Sequence, residues 1–456
     1  MAVWSSIFIS KAIGEKRIDA EYYTPEALQV EKSILSCFHE KLFSLSKKIT
    51  DFGAYSQMNN VTYSDMGRHR FIRNQDIKGF YLDYNDNIMI SNKIYNSLSL
   101  HLNKNDILVQ RTGSIGKAGI VLERDLPATA NQNLAQIILN EEKLNPFYLI
   151  TYFNSRFGIK SFERLQTGNV QPWLNLKQIG NLKIPCFDPE IQNLIGSIAE
   201  EGISNYFSSI NLYSQAQQLL ESELGLNKLS FKKPVGFTAW FSELELSRRT
   251  DAEFYHIKYE PFLDAARNYK NGCSTVGKLT KRTLPNFDAG KHEADFDYIE
   301  IGDISTNDGT YGKNQMNAVR LPANAKIKLS GGEILISQVR PTRGAIAIIQ
   351  DHLTHESICS GAFYVCTAND PEYREIIWLY LRSIRNVFEK YCGGTSYPTI
   401  DSRYISKFPV PLFDHALAQE IKALIRKSKS AKQESEQLLE QAKTRVEQLI
   451  EDSVKS

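Results

Sequence analysis

From Asp414 to Ser456 the chain contains no glycine or proline, and its apolar residues follow a heptad seam. The a and d positions are Ile421, Ile425, Ser428, Lys432, Ser435, Leu439, Ala442, Val446 and Leu449, six of nine being apolar. This pattern predicts one long helix whose seam needs a partner. At 1.5 Å per residue, roughly 40 residues span about 60 Å, more than the width of a small domain. A second helix is predicted after Asp188, with Asp188 as N-cap and Pro189 at its first position. Its apolar face carries Ile195, Leu212, Ala216 and Leu220, while Gly196 and Gly202 lower its intrinsic propensity.

Ahead of each helix stand short runs of β-forming residues. The first set includes HRFIRNQDI, DILVQR and KAGIVLE, and the second DYIEIGDI, EILISQV and AIAII. Gly, Asn and Asp separate the runs, as turns require.

These parts form an internal repeat. RIDAEYYTPEALQ, from Arg17, matches RTDAEFYHIKYEP, from Arg249, at an offset of 232. Asp106 in NDILVQRTGSIGKAGIV pairs with Glu333 in GEILISQVRPTRGAIAII at 227. GNVQPWLNLKQIGNLKIPCFD matches GGTSYPTIDSRYISKFPVPLFD at 226, and that register continues through Ile195 with Ile421 to Leu224 with Ile450. The drift places insertions in loops, where they are tolerated. The expected architecture is α/β (α+β), with two tandem globular domains, each followed by a long helix. The two helices are expected to pack as an antiparallel coiled coil about a pseudo-two-fold. The boundaries are 1–187 and 231–413 for the globular parts, with helices at 188–230 and 414–456.

Composition narrows the class. A length of 456 residues with 42% hydrophobic and 23% charged residues fits two or three globular cores. No run of 18 apolar residues occurs, so no membrane span is expected. The charges near the N-terminus follow the apolar run, unlike a secretory signal. Six cysteines without a CxxC pair suggest a reducing, cytoplasmic setting.

Familiar catalytic motifs are absent. No GxGxxG follows a strand and no GxxxxGK(S/T) occurs, so neither a dinucleotide nor a nucleoside triphosphate site is signalled. Asn145-Pro-Phe-Tyr reads as a turn before a helix. His352, His355 and Cys359 lack the fourth ligand of a structural zinc site and read as a solvent loop.

Two α/β units, each followed by a long helix and neither carrying a catalytic motif, resemble the specificity (S) subunit of type I restriction-modification enzymes, the HsdS family. The resemblance spans essentially the whole chain. It rests on DAEYY, the paired glycine-rich DIL(V/I) strands, FIRNQDI with YIEIGDI, and the two proline-containing segments. It implies two target recognition domains, each reading half of a bipartite double-stranded DNA site, with the helices spacing them and docking two methyltransferase subunits. Restriction-translocase subunits complete such a complex. No cofactor is expected in this chain; S-adenosylmethionine, ATP and magnesium are expected in its partners. A fused or degenerate methyltransferase and a helical scaffold without DNA contact are the competing readings.

Residues 41–170 hold 16 basic and 11 acidic residues, and residues 271–400 hold 14 of each. Base reading with phosphate grip supplied largely by partners fits this balance. Candidate base contacts are Arg73, Asn74 and Gln75, Gln110, Arg111 and Lys117, and Gln338, Arg340 and Arg343. Arg suits guanine and Gln suits adenine, each bidentately. Arg111-Thr-Gly-Ser stands where the second copy has Val339-Arg-Pro-Thr. Tyr55 and Tyr397 could stack near DNA, whereas core packing is expected for Trp173. The Gly168-Asn169 and Gly393-Gly394 turns are expected to use positive φ.

Overall fold

The computed structural model describes residues 5–15, 17–53, 61–64, 67–84, 86, 88–168, 172–231, 234, 236–394 and 396–455, so Tyr55 and Asn169 lie outside the described residues. The chain divides into two compact units, residues 1–207 with 431–456, and residues 208–430. The division halves each long helix, whereas the sequence boundaries kept the helices apart from the globular parts.

In the first unit seven strands build two sheets: β1 (Ser46–Asp51), β2 (His69–Ile72), β3 (Met89–Ile90), β4 (Ile107–Gln110), β5 (Ala118–Ile120), β6 (Ala128–Ala130) and β7 (Leu134–Leu139). The main sheet has the order β1-β7-β4-β5 and is antiparallel, while β3-β2-β6 pairs β2 with β6 in parallel. The central strand β4 is buried on both faces. Ile107 and Val109 join a core with the helices Pro146–Asn154 and Arg156–Leu165, and Leu108 joins a core with Ile72, Leu100 and Leu102 of the smaller sheet's side. Such two-sided burial gives the continuous apolar run of ILV.

The second unit repeats the plan with β8 (Thr280–Thr283), β9 (Asp295–Ile299), β10 (Asn314–Asn317), β11 (Ala325–Leu329), β12 (Ile334–Ser337), β13 (Ile346–Ile348), β14 (Ser357–Ser360) and β15 (Phe363–Ala368). Its sheets are β8-β15-β12-β13 and β10-β9-β14-β11, with β9 and β14 parallel. Ile334 and Ile336 face one core and Leu335 the other, as in β4. The matched acids before β4 and β12 do equivalent work. Asp106 accepts from Asn103 N at 2.7 Å, and Glu333 accepts from Ser330 N at 2.7 Å.

The central helix runs Pro189–Glu223 and the terminal helix His415–Lys455. The Asp188 carbonyl accepts from Gln192 N at 3.0 Å, and Asp414 Oδ1 caps Leu417 N at 2.8 Å. In the first unit Ile195, Ala199 and Ile203 share a core with Leu439, Ala442, Val446 and Ile450. In the second, Ala216, Leu220 and Leu224 share one with Ala418, Ile421 and Ile425. Two seam positions differ from expectation. Ile450 is fully buried and Leu449 only half so, because the straight helix period of 3.6 outruns a strict heptad over several turns. Likewise Tyr213, not Leu212, packs on the core, continuing the 3-4 spacing of buried Gly202, Ser209 and Ala216. The glycines do more than lower propensity. A Cβ at Gly202 would sit 2.9 Å from Leu439 Cγ, and one at Gly196 2.6 Å from Asn145 Oδ1.

Asn145 caps its helix, its Oδ1 accepting from Phe147 N and Tyr148 N at 2.9 and 3.0 Å. All six cysteines are unpaired. Cys359 is buried in β14 while His352 and His355 are exposed. Among the described residues no group of three His, Cys, Asp or Glu could hold a metal ion, and no helix is long and apolar enough to cross a membrane.

Candidate nucleic-acid interface

In the first unit three loops meet through hydrogen bonds. The turn from β4 to β5 uses Gly113 and Gly116 at φ 75° and 79°. A Cβ at Gly116 would fall 2.4 Å from that of Phe162, so only glycine fits. At the base of the turn the Arg111 carbonyl accepts from Leu174 N at 2.9 Å, and Arg111 Nε donates to the Leu174 carbonyl at 2.9 Å. The same guanidinium pairs with Asp51. Trp173 and Thr167 close the neck of the second loop, each backbone N–H donating to the other's carbonyl at 2.9 and 3.1 Å. The third loop is the tight turn Asn74–Asp76. Asn74 Nδ2 donates to the Thr112 carbonyl at 3.0 Å, and Gln110 Nε2 to the Asn74 carbonyl at 2.6 Å. Asp76 accepts from Arg73 N at 2.8 Å. Burial raises its carboxyl above the usual range, opposed by the hydrogen bond and charge of Arg73.

The second unit zips two loops in the same way. Ile400 N donates to the Gln338 carbonyl at 2.9 Å, and Gln338 Nε2 to the Ile400 carbonyl at 3.2 Å. Gln338 therefore holds the place of Arg111, and Arg340 that of Gly113, which corrects the pairing of Arg111 with Val339. Arg340 keeps a glycine-like φ of 47°, a conformation that strains an ordinary L-residue. Its N–H donates to the Pro398 carbonyl at 2.7 Å, and its guanidinium lies 4.4 Å from the Tyr397 ring centroid. The turn Glu300–Asp303 repeats the cap of Arg73–Asp76, Glu300 N donating to Asp303 Oδ2 at 2.8 Å. An acid thus stands where the first unit has Arg73. The buried Arg382 ties the β12–β13 turn to the loop after Ile304, donating to the carbonyls of Gly344 at 2.8 Å and Thr306 at 3.0 Å.

This geometry sorts the nine candidates. Gln75, Lys117 and Arg343 are exposed, and Arg340 is half-buried beside Tyr397, which is 67% exposed. Arg73 is held by Asp76 and Asp86 at 3.6 and 3.7 Å. Asn74 and Gln338 are engaged between loops. Gln110, expected to face DNA, is 4% exposed; it lies on the doubly covered strand, and its amide positions Asn74. Trp173, expected in the core, is 44% exposed because the paired neck holds it outward. Gly168 and Gly394 adopt φ of 98° and 86°.

Sequence reasoning missed the anchor beneath these loops, although the repeated R-x-D signalled it. Arg17 pairs with Asp19 and donates to the carbonyls of Leu165 and Gln166 at 3.2 and 3.0 Å. Arg249 pairs with Asp251 and donates to those of Tyr391 and Cys392 at 3.0 and 2.7 Å. Each guanidinium covers the following ring, Tyr22 or Phe254, at 4.5 or 4.6 Å. The DAE(Y/F)Y signature thus fixes the root of the second loop in both units. The loops present amide, ammonium and guanidinium donors beside exposed rings, a set suited to base edges and phosphates.

Residues 46–221 match the family model of the type I restriction modification DNA specificity domain. Among solved structures, the chain is similar to the type I restriction-modification S subunit from M. genitalium, at 13% identity over 92% of this chain and 95% of that one, with a TM-score of 0.46. It is also similar to the HsdS subunit from Thermoanaerobacter tengcongensis, at 11% identity over 92% and 96% of the two chains, with a TM-score of 0.31. The segment 46–221, which carries the first unit's sheets and the central helix, is thus similar to the type I restriction modification DNA specificity domain.

Proposed function

We propose that each unit reads one half of a bipartite, asymmetric DNA target, and that the paired helices set the spacing and dock two methyltransferase subunits. The observation that carries this reading is the duplicated clamp, Arg111 with Leu174 in one unit and Gln338 with Ile400 in the other. Two sites built on one plan but tipped with different residues suit two different half-sites. In the first unit the exposed Gln75 and Lys117 are the readers; in the second, the exposed Arg343 and the half-buried Arg340. The chain itself is non-catalytic in this reading. S-adenosylmethionine, ATP and magnesium belong to methyltransferase and restriction-translocase partners, and the complex works in the cytoplasm.

Selection from random duplexes by the chain with its methyltransferase subunits tests this. Two specified blocks separated by an unspecified spacer are expected, whereas one contiguous block would refute the division of labour. Half-site competition should also separate specific contacts from phosphate contacts by their salt dependence.

A further inference from the structure

In the second unit, cations gather at the foot of the loop that carries Tyr397. Ile400 is clamped to Gln338, and two residues later Ser402 opens the short helix Ser402–Lys407. Arg282, on the edge strand β8, donates through Nη1 to Ser402 Oγ at 3.1 Å, and its guanidinium lies 5.0 Å from the Tyr364 ring centroid. Asp401 holds Arg403 by two hydrogen bonds, Nε to Oδ1 at 3.0 Å and Nη2 to Oδ2 at 3.1 Å. Between strand and helix lies a cavity of about 270 Å³, lined by both arginines, Lys407 and the hydroxyl-bearing Ser402, Ser406 and Tyr364. Among the described residues no carboxylate lines it. Even with Asp401 set against Arg403, the charges of Arg282 and Lys407 remain.

The cavity belongs to this unit's own residues. The strands His39–Lys41 and Cys273–Thr275 pair alike with the segments ending at Pro185 and Pro411, which sets an offset of 234 here. At that offset Phe43 answers to Gly277, and at 226 Gly180 answers to Ser406. A Cβ on Gly180 would fall 2.2 Å from Phe43 Cζ, so a ring occupies this place in the first unit. In the second, Gly277 has no side chain, and a Cβ there would fall 2.1 Å from Ser406 Oγ. Bulk is exchanged for a hydroxyl. The cations, by contrast, are repeated, since the exposed Lys48 and Lys177 match Arg282 and Arg403.

We propose that this cavity seats one backbone phosphate of the DNA half-site read by the second unit, an inference that rests on the half-site reading above. Arg282 and Lys407 supply the charge, and the hydroxyls of Ser402 and Ser406 donate to the phosphate oxygens. A guanidinium already held against Ser402 and Tyr364 loses little freedom on binding. The seat lies apart from the readers Arg340 and Arg343, and contributes affinity and register without reading sequence. The even charge balance of residues 271–400 conceals it, because Arg403 and Lys407 fall just beyond that stretch.

The full chain with its methyltransferase subunits is titrated by fluorescence anisotropy against cognate and scrambled duplexes over a salt series. Arg282→Gln with Lys407→Gln should weaken binding to both alike, about tenfold, and lower the salt slope by about 0.9. Discrimination between the duplexes should persist. In a methylphosphonate scan, one neutralised phosphate beside the second half-site should weaken the unaltered complex and leave the double variant unaffected. Should circular dichroism show the double variant misfolded, Lys407→Gln alone, at an exposed position, carries the same comparison. An unchanged salt slope with specific binding intact, or lost discrimination at an unchanged slope, overturns the seat and leaves half-site reading in place. No specific binding by the unaltered complex would overturn both.

Discussion

Arg111→Ala separates a structural clamp from a base reader. The Arg111 and Asp51 side chains are 15% and 23% exposed, and Leu174 is fully buried. Truncation leaves the Leu174 carbonyl without its side-chain donor, at about 1–3 kcal/mol. The partly exposed ion pair adds about 0–1 kcal/mol. A loss of about 1–4 kcal/mol is therefore expected, each kcal/mol lowering Tm by roughly 2–4 °C in a domain of this size. Differential scanning calorimetry measures the melting, and fluorescence titrations over a salt series, with the methyltransferase subunits present, measure DNA binding. The clamp predicts a lowered Tm, weaker cognate binding and an unchanged salt slope. Unchanged melting together with a salt slope reduced by about 0.9 would show a phosphate contact instead, and the reasoning would fail.

Arg340→Gly should act the other way. Relief of the left-handed backbone stabilises by about 1 kcal/mol, while loss of the guanidinium weakens specific binding by about 1–3 kcal/mol; urea melts and cognate-versus-scrambled titrations read the two effects. Gly202→Val forces a side chain against Leu439 and should cost about 1–3 kcal/mol in chemical denaturation. Ile450→Ala, at a fully buried site, should cost about 2–5 kcal/mol and clearly more than Leu449→Ala; equal losses would contradict the observed seam.

The sequence made the repeat and the helices legible because both are periodic. An offset of 226 links Ile195 to Ile421, and these residues are both buried. What it hid lay where spacing stops being informative. Insertions near the β4–β5 and β12–β13 turns slide the register, so Arg111 was set opposite Val339 until the hydrogen bonds to Leu174 and Ile400 put Gln338 in its place. Gln110 looked like a reader because a polar residue ending an apolar strand usually meets solvent; here a second sheet covers that face. Leu212 and Leu449 were natural heptad choices, yet a seam followed through several turns drifts by one residue. Trp173 resembled core by residue type alone, and only the paired neck of its loop turns it outward.

The central claim, that the two units read separate halves of one target, is tested most directly by methylome sequencing. A host carrying the partner methyltransferase would receive either the unaltered chain or the double variant Arg340→Ala with Arg343→Ala. The unaltered chain should yield a bipartite motif with an unspecified spacer, and the variant should relax or lose one block while the other stays defined. Relaxation of both blocks together, or a motif without a spacer, would contradict the account.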